Sequence, residues 1–274
     1  MPDSPIENSA LPPSLSASLT APDAVPHAFA ASDRRGFLTR LAGLAAMGSA
    51  LPLAACGGGT EDQAALRFVN ATVDYATADF WVGSETAISG LTNGGTTSGY
   101  GSEDSGTLQV ALHAAGSSSA VFSASRDFAA DSYTSVIAYG SLATSLTFRF
   151  LDESNAAAAS GSFNVRAFHA APSLGALDVY ITNTSSLGGL SPTLSVSTSG
   201  ELSSFVTLTA GTYRIRITKT GDQSSVLYDY TAGLTVSGTT VLTLAIVPRS
   251  SGSLPNIAAL PEQNSPLVLV NALA

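Results

Sequence analysis

The chain repeats itself. Leu66-Arg67-Phe68-Val69-Asn70-Ala71 aligns with Val165-Arg166-Ala167-Phe168-His169-Ala170 at an offset of 99 residues, and Ala78-Asp79-Phe80-Trp81-Val82 aligns with Leu177-Asp178-Val179-Tyr180-Ile181 at the same offset. Further on, Gly106-Thr107-Leu108-Gln109-Val110 aligns with Gly211-Thr212-Tyr213-Arg214-Ile215 at an offset of 105, and Gly116 and Gly221 keep that spacing. The change of six places an insertion in the second copy, within the Gly/Ser-rich stretch from Thr182 to Gly200. A third, truncated start follows at Leu267-Val268-Leu269-Val270-Asn271-Ala272, offset by 201 from the first. A repeat of about one hundred residues is far longer than the 20–50 residues of solenoid units, so the copies are tandem domains.

Each copy reads as β. In Tyr213-Arg214-Ile215-Arg216-Ile217 the apolar residues fall on one face and the arginines on the other, the period-2 pattern of a half-buried strand. Val241-Leu242-Thr243-Leu244-Ala245-Ile246-Val247 is β-branched and almost wholly apolar, which suits a central strand. Short strands, frequent Gly/Ser/Thr turns and no helical period beyond Leu53 predict an all-β chain of two tandem Ig-like or Greek-key antiparallel β-sandwiches. The terminal strand is expected to complete the second sandwich or extend its sheet, covering an edge.

Several of these segments resemble a known family. Val165-Arg166-Ala167-Phe168-His169-Ala170-Ala171-Pro172, then Leu177-Asp178-Val179-Tyr180, then Leu208-Thr209-Ala210-Gly211-Thr212-Tyr213-Arg214-Ile215 resemble the DUF4397 module. The resemblance implies a secreted bacterial β-domain, commonly found in tandem and without an established function. It spans roughly Leu66 to Ala274, and is closer in the second copy than in the first, where Thr72-Val73 replaces Ala171-Pro172.

Ahead of the repeats lies what reads as an address. Arg34-Arg35-Gly36-Phe37-Leu38 resembles a twin-arginine export signal, and the apolar run from Leu41 to Leu53 is too short to span a bilayer. Leu53-Ala54-Ala55-Cys56 resembles a bacterial lipobox, which implies cleavage before Cys56 and acylation of its sulfur and new amine. We therefore read 1–55 as a disordered n-region plus cleaved twin-arginine lipoprotein signal and 56–63 as a flexible Gly-rich tether. Residues 64–152 are the first sandwich, 153–162 a linker, and 163–274 the second sandwich with its C-terminal strand.

Charge and residue types narrow the function. The chain carries 11 basic and 20 acidic residues, and Lys219 is its single lysine. That balance opposes a nucleic-acid partner, which needs a basic face. One cysteine removes any disulfide framework. No Gly-x-Ser-x-Gly elbow or EF-hand spacing occurs.

His169 with Asp178 is the nearest thing to a metal pair or a base with its orienter. Yet the first copy carries Asn70 where the second carries His169, and the third carries Asn271. Asn70, His169, Asn271, Asp79 and Asp178 are accordingly expected to hold backbone in place, and His113 to be solvated. Trp81 with Phe80, and Tyr228 with Tyr230, are candidate glycan platforms, although the matched places of Trp81 and Tyr180 favour packing or a shared sheet face. A calcium ion bridging the domain junction at Asp152-Glu153 is a further alternative.

The expectation is a non-enzymatic cell-envelope lipoprotein without metal, cofactor or catalytic residue. It would be held to the membrane through lipid on Cys56 and would present its sandwiches to a peptide, protein or polysaccharide. The alternative is a hydrolase or metal-dependent enzyme using His169 and Asp178. Mass spectrometry of the membrane fraction is expected to find an acylated peptide beginning at Cys56; an intact Met1 end or an unmodified Cys56 contradicts the address.

Overall fold

A computed structural model describes the backbone of Ala17–Leu19 and residues 62–274, apart from 95–98, 144, 155 and 250–252. The first unit contains β2 (Gln63–Thr72), β3 (Thr77–Val82), β4 (Glu85–Thr92), β5 (Gly101–Asp104), β6 (Gly106–Ala114), β7 (Ala120–Phe128), β8 (Tyr133–Ser141) and β9 (Ser145–Asp152). The second contains β10 (Ser162–His169), β11 (Leu177–Thr182), β12 (Leu194–Val196), β13 (Val206–Thr209), β14 (Gly211–Lys219), β15 (Asp222–Val236), β16 (Val241–Val247), β17 (Asn256–Pro261) and β18 (Leu267–Leu269). The predicted all-β architecture is what the chain adopts.

The two units share one topology. In the first, sheet β5-β2-β8-β9 faces sheet β4-β3-β6-β7 across a core that includes Leu66, Phe68, Phe80, Leu112 and Val136. In the second, β13-β10-β16-β17 and β12-β11-β14-β15 repeat that order, strand for strand. The added residues of the second copy lie between β11 and β12. β18 pairs antiparallel with β17 and so extends the sheet.

Two expectations need correction. The sheets are not purely antiparallel: β2 runs parallel to β8, and β10 to β16. Each pair is joined through the rest of its unit, which satisfies the long crossover that parallel pairing requires. Within residues 1–55, expected to be disordered, Ala17–Leu19 (β1) is a short strand that runs parallel to the outer edge of β15. An edge strand presents unpaired main-chain groups that a short extended segment can meet.

The units do not hang from a free linker. On β2 the even-numbered side chains Leu66 and Phe68 enter the first sandwich, while Val69 and Ala71 point the other way. Those outward residues, with Ile137 and Leu151, meet Phe168, Ala170, Ala245, Val247, Ala258 and Leu260 of the second unit in a third apolar cluster. Tyr139 packs edge-on against Phe168 at 5.2 Å. The result is four sheets in series, and the two central ones are covered on both faces. All seven residues of β16 are buried for this reason.

Arg67 lies inside that interface, 1% exposed. Its Nε donates to Ser135 Oγ at 2.7 Å and its Nη2 to Glu153 Oε1 at 3.0 Å. Nη1 donates across the interface to the carbonyls of Pro261 and Asn264, at 3.0 and 2.9 Å. The guanidinium sits 4.6 Å from the centre of the Tyr100 ring, and the Tyr100 hydroxyl donates to Glu153.

Glu153 Oε2 accepts the Gln263 N–H at 2.7 Å, while Glu262 Oε2 accepts the Ser154 N–H at 3.1 Å. Each unit's glutamate thus takes the N–H that follows the other's glutamate, the reciprocity of a twofold interface. Residues 153–162, read as a linker, are pinned here and by Ala158 N–H to the Thr239 carbonyl at 3.0 Å.

Removing one partner of a buried ion pair leaves the other charge uncompensated, at a cost of about 3–5 kcal/mol. Arg67→Met and Glu153→Gln should each lower the unfolding free energy by that order in chemical denaturation. The double variant should lose clearly less than the two single losses added together; strict additivity would contradict the pair.

Candidate functional site

The three repeat-equivalent polar positions perform one task. Asn70 Nδ2 donates to the carbonyls of Tyr75 and Leu91, both at 3.0 Å, and its Oδ1 accepts the Thr72 N–H at 3.2 Å. His169 repeats the pattern with an imidazole: Nε2 bonds the Gly175 carbonyl at 2.7 Å, and Nδ1 accepts the Ala171 N–H at 3.2 Å. Asn271 donates to the carbonyls of Leu227 and Pro255 and accepts the N–H groups of Asp229 and Leu273. A carbonyl at Nε2 and an N–H at Nδ1 require the neutral tautomer with its proton on Nε2. Burial pushes the His169 pKa down, in keeping with that state.

Asp79 and Asp178 also hold backbone. Asp79 Oδ1 accepts the Gly90 N–H at 2.6 Å and Oδ2 the Gly116 N–H at 2.8 Å. Asp178 Oδ2 accepts the Gly221 N–H at 2.9 Å, and its Oδ1 takes the Ser195 hydroxyl at 2.7 Å. Gly116 and Gly221 hold matching φ values of 74° and 77°, a region glycine enters without a Cβ clash. His169 and Asp178, weighed as a catalytic or metal pair, therefore bond these separate partners rather than each other.

Other candidates are placed differently from expectation. His113 is not solvated: it is 5% exposed, stacks on Trp81 at 4.7 Å and 13°, and bonds the Ser117 carbonyl. A neighbouring indole removes its water, which a strand-end position in sequence does not reveal. Trp81 lies on the outer face of its sheet, while Phe80, Tyr228 and Tyr230 are core.

The equivalent face of the second unit is covered by its insertion. The buried Arg216 donates to the carbonyls of Thr184 and Ser185, and Gln223 donates to that of Leu190. At the junction Asp152 pairs with Arg126 and Glu153 with Arg67. Among the described residues no three His, Cys, Asp or Glu side chains cluster as a metal would need. The address residues Arg34, Arg35, Phe37, Leu38, Leu53, Ala54, Ala55 and Cys56 lie outside the described residues.

What the sequence reading missed is a crevice of about 310 Å³ where the two units meet. Val73, after β2, and Ser141, at the end of β8, form one wall. Their counterparts form the other: the 3₁₀ turn Pro172–Leu174 after β10, and Pro248, Arg249 and Leu254 after β16. Arg67 closes the far end of the same interface. Asn256 Nδ2 donates to the Gly94 carbonyl at 2.6 Å beside the crevice, joining the units there as well. The lining is largely apolar, with Arg249 as the charged residue among the described ones. Equivalent loops recurring in two copies were the available signal, but only their apposition makes a cavity.

These features define a two-unit β-sandwich protein with a composite interdomain crevice. Residues 64–180 match the model of DUF4397, a domain of unknown function, from within β2 through the rest of the first unit and into β11 of the second. No curated protein matches the chain.

The neutral, buried His169 has a consequence for pH. Below its ordinary pKa of about 6.5 the unfolded chain takes up a proton that the folded chain resists, so its contribution to stability falls as pH drops. His169→Asn, which restores the residue type of the other two copies, should flatten the decline in denaturation midpoint between about pH 7 and pH 5. Parallel wild-type and variant curves would contradict the assignment.

Proposed function

We propose that this chain is a non-enzymatic binding module of the cell envelope: a tandem DUF4397 protein exported by the twin-arginine route and anchored through lipid on Cys56. Its ligand contact is the composite crevice, and its ligand a short apolar protein segment bearing an acidic group. One observation carries the binding reading: equivalent loops of both units converge on a cavity about the size of small-ligand sites. Arg249 on the wall supplies the positive charge that an acidic group would meet.

The hydrolase or metal-enzyme alternative has less support. Catalysis needs a base free to take a proton, and both His169 ring nitrogens are committed to main-chain groups. The Asp178 oxygens are likewise occupied by the Gly221 N–H and the Ser195 hydroxyl. A polysaccharide ligand is the less favoured occupant, since the lining offers few polar side chains to sugar hydroxyls.

A photoreactive residue in place of Leu174, used in intact envelopes, is expected to capture a discrete protein. That product should disappear when Leu254→Trp fills the crevice. The reading fails if the crosslink is no stronger than one from the exposed Ser89, or if Leu254→Trp leaves it unchanged.

A further inference from the structure

The two units differ at one equivalent edge. In the second unit β17 is covered: Ile257, Ala258 and Ala259 pair with Leu269, Val268 and Leu267 of β18. The first unit's counterpart is β9, where Phe148, Arg149 and Phe150 hold the same register against β8 that Ile257, Ala258 and Ala259 hold against β16. β9 is eight residues long, and among the described residues no strand lies on its outer side. The Glu153 N–H bonds the Tyr133 carbonyl. By the alternation of an antiparallel ladder, the main-chain groups of Leu146, Phe148 and Phe150 then point outward.

A second observation concerns the middle of this edge. Arg149 is half-buried and its Nε is fully shielded from solvent without a hydrogen-bond partner. Among the described residues it makes no ion pair, although Arg67, Arg126 and Arg214 all do. A buried guanidinium N–H without an acceptor is costly. A strand laid along β9 would place a side chain beside Arg149, within the roughly 5 Å that separates cross-strand neighbours. In the second unit the equivalent residue is Ala258, and the covering strand presents Val268 to it.

We infer that the outer edge of β9 is a strand-addition site for an extended segment of another protein, with an acidic residue opposite Arg149 and apolar residues on either side. Main-chain pairing supplies the affinity and Arg149 the selectivity, as in other β-augmented complexes. The apolar neighbours meet the partly exposed rings and side chains of Phe150 and Leu146. A second copy's own C-terminal strand is the poorer occupant. Its Leu269 carbonyl is bonded by Tyr228 Oη at 2.9 Å, and Asn271 anchors the segment through four hydrogen bonds, to Asp229, Asn256, Leu227 and Pro255, that exchange would break. The edge is separate from the crevice, and the inference stands without the reading given for that cavity.

The probe is a synthetic peptide with the sequence of residues 265–272 carrying the Val268→Glu change, titrated onto the intact chain beside the unchanged peptide. The changed peptide is expected to bind saturably and at least tenfold more tightly than the unchanged one. Arg149→Ala should abolish that difference. Leu146→Pro, which removes an outward N–H while sparing the ladder to β8, should weaken both peptides.

Equal affinities, or no saturable binding, would overturn the inference. So would sedimentation showing that the wild-type chain dimerises in a manner lost with Leu146→Pro, because β9 would then pair with a second copy. Self-association appearing only in Arg149→Ala would overturn it as well, making Arg149 a guard against pairing.

Discussion

Everything distinctive about this molecule depends on the face that each sandwich turns toward the other. A two-sheet sandwich ordinarily hides one face of each sheet and wets the other. Here β2, β8, β10 and β16 carry apolar residues on both faces, and the second set is removed from water only when the units meet. Because the units are copies, the surface they share is self-complementary, and the Glu153–Gln263 and Glu262–Ser154 bonds show the same contact made twice. Arg67 breaks the symmetry. It pairs with Glu153, whereas its counterpart Arg166 lies 4.4 Å over the Phe205 ring and bonds Thr243. A buried charge pair adds little net stability, but it penalises arrangements that leave either charge unmatched.

The crevice is a product of this apposition. Val73 and Ser141 belong to one unit and Leu174 and Arg249 to the other, so neither unit holds the cavity alone. Duplication gave two sets of equivalent loops, and the twofold contact turned them toward each other. Away from the interface the copies are free to differ. The second has a loop over its outer sheet and a strand over β17, while the first has Trp81 on His113 and, among the described residues, no strand over β9.

Much of the fold was legible in the residues. The offsets of 99 and 105 matched β2 with β10, β3 with β11 and β6 with β14, and the change between them located the insertion. Alternation identified β14 as a strand, yet its arginines were expected at a solvated face and Arg216 is buried under the insertion. Period-2 patterning reports which face a residue occupies, not what covers that face. For the same reason Arg67, a charge within an apolar strand, reads as surface. Its recurrence as Arg166, together with Glu153 recurring as Glu262, was the hint that the position is structural. The matched positions of Asn70 and His169 already pointed to a shared backbone-holding role, whereas the partners were not legible, because only the fold shows an amide and a neutral imidazole offering the same donor and acceptor.

The central claim is that the two sandwiches form one body. Pulsed electron paramagnetic resonance tests it most directly, with Cys56 replaced and spin labels on the exposed Ser89 and Thr231, one on each outer sheet. The account predicts a single narrow distance distribution. A broad or multiply peaked one would contradict it, leaving two sandwiches joined only by their linker.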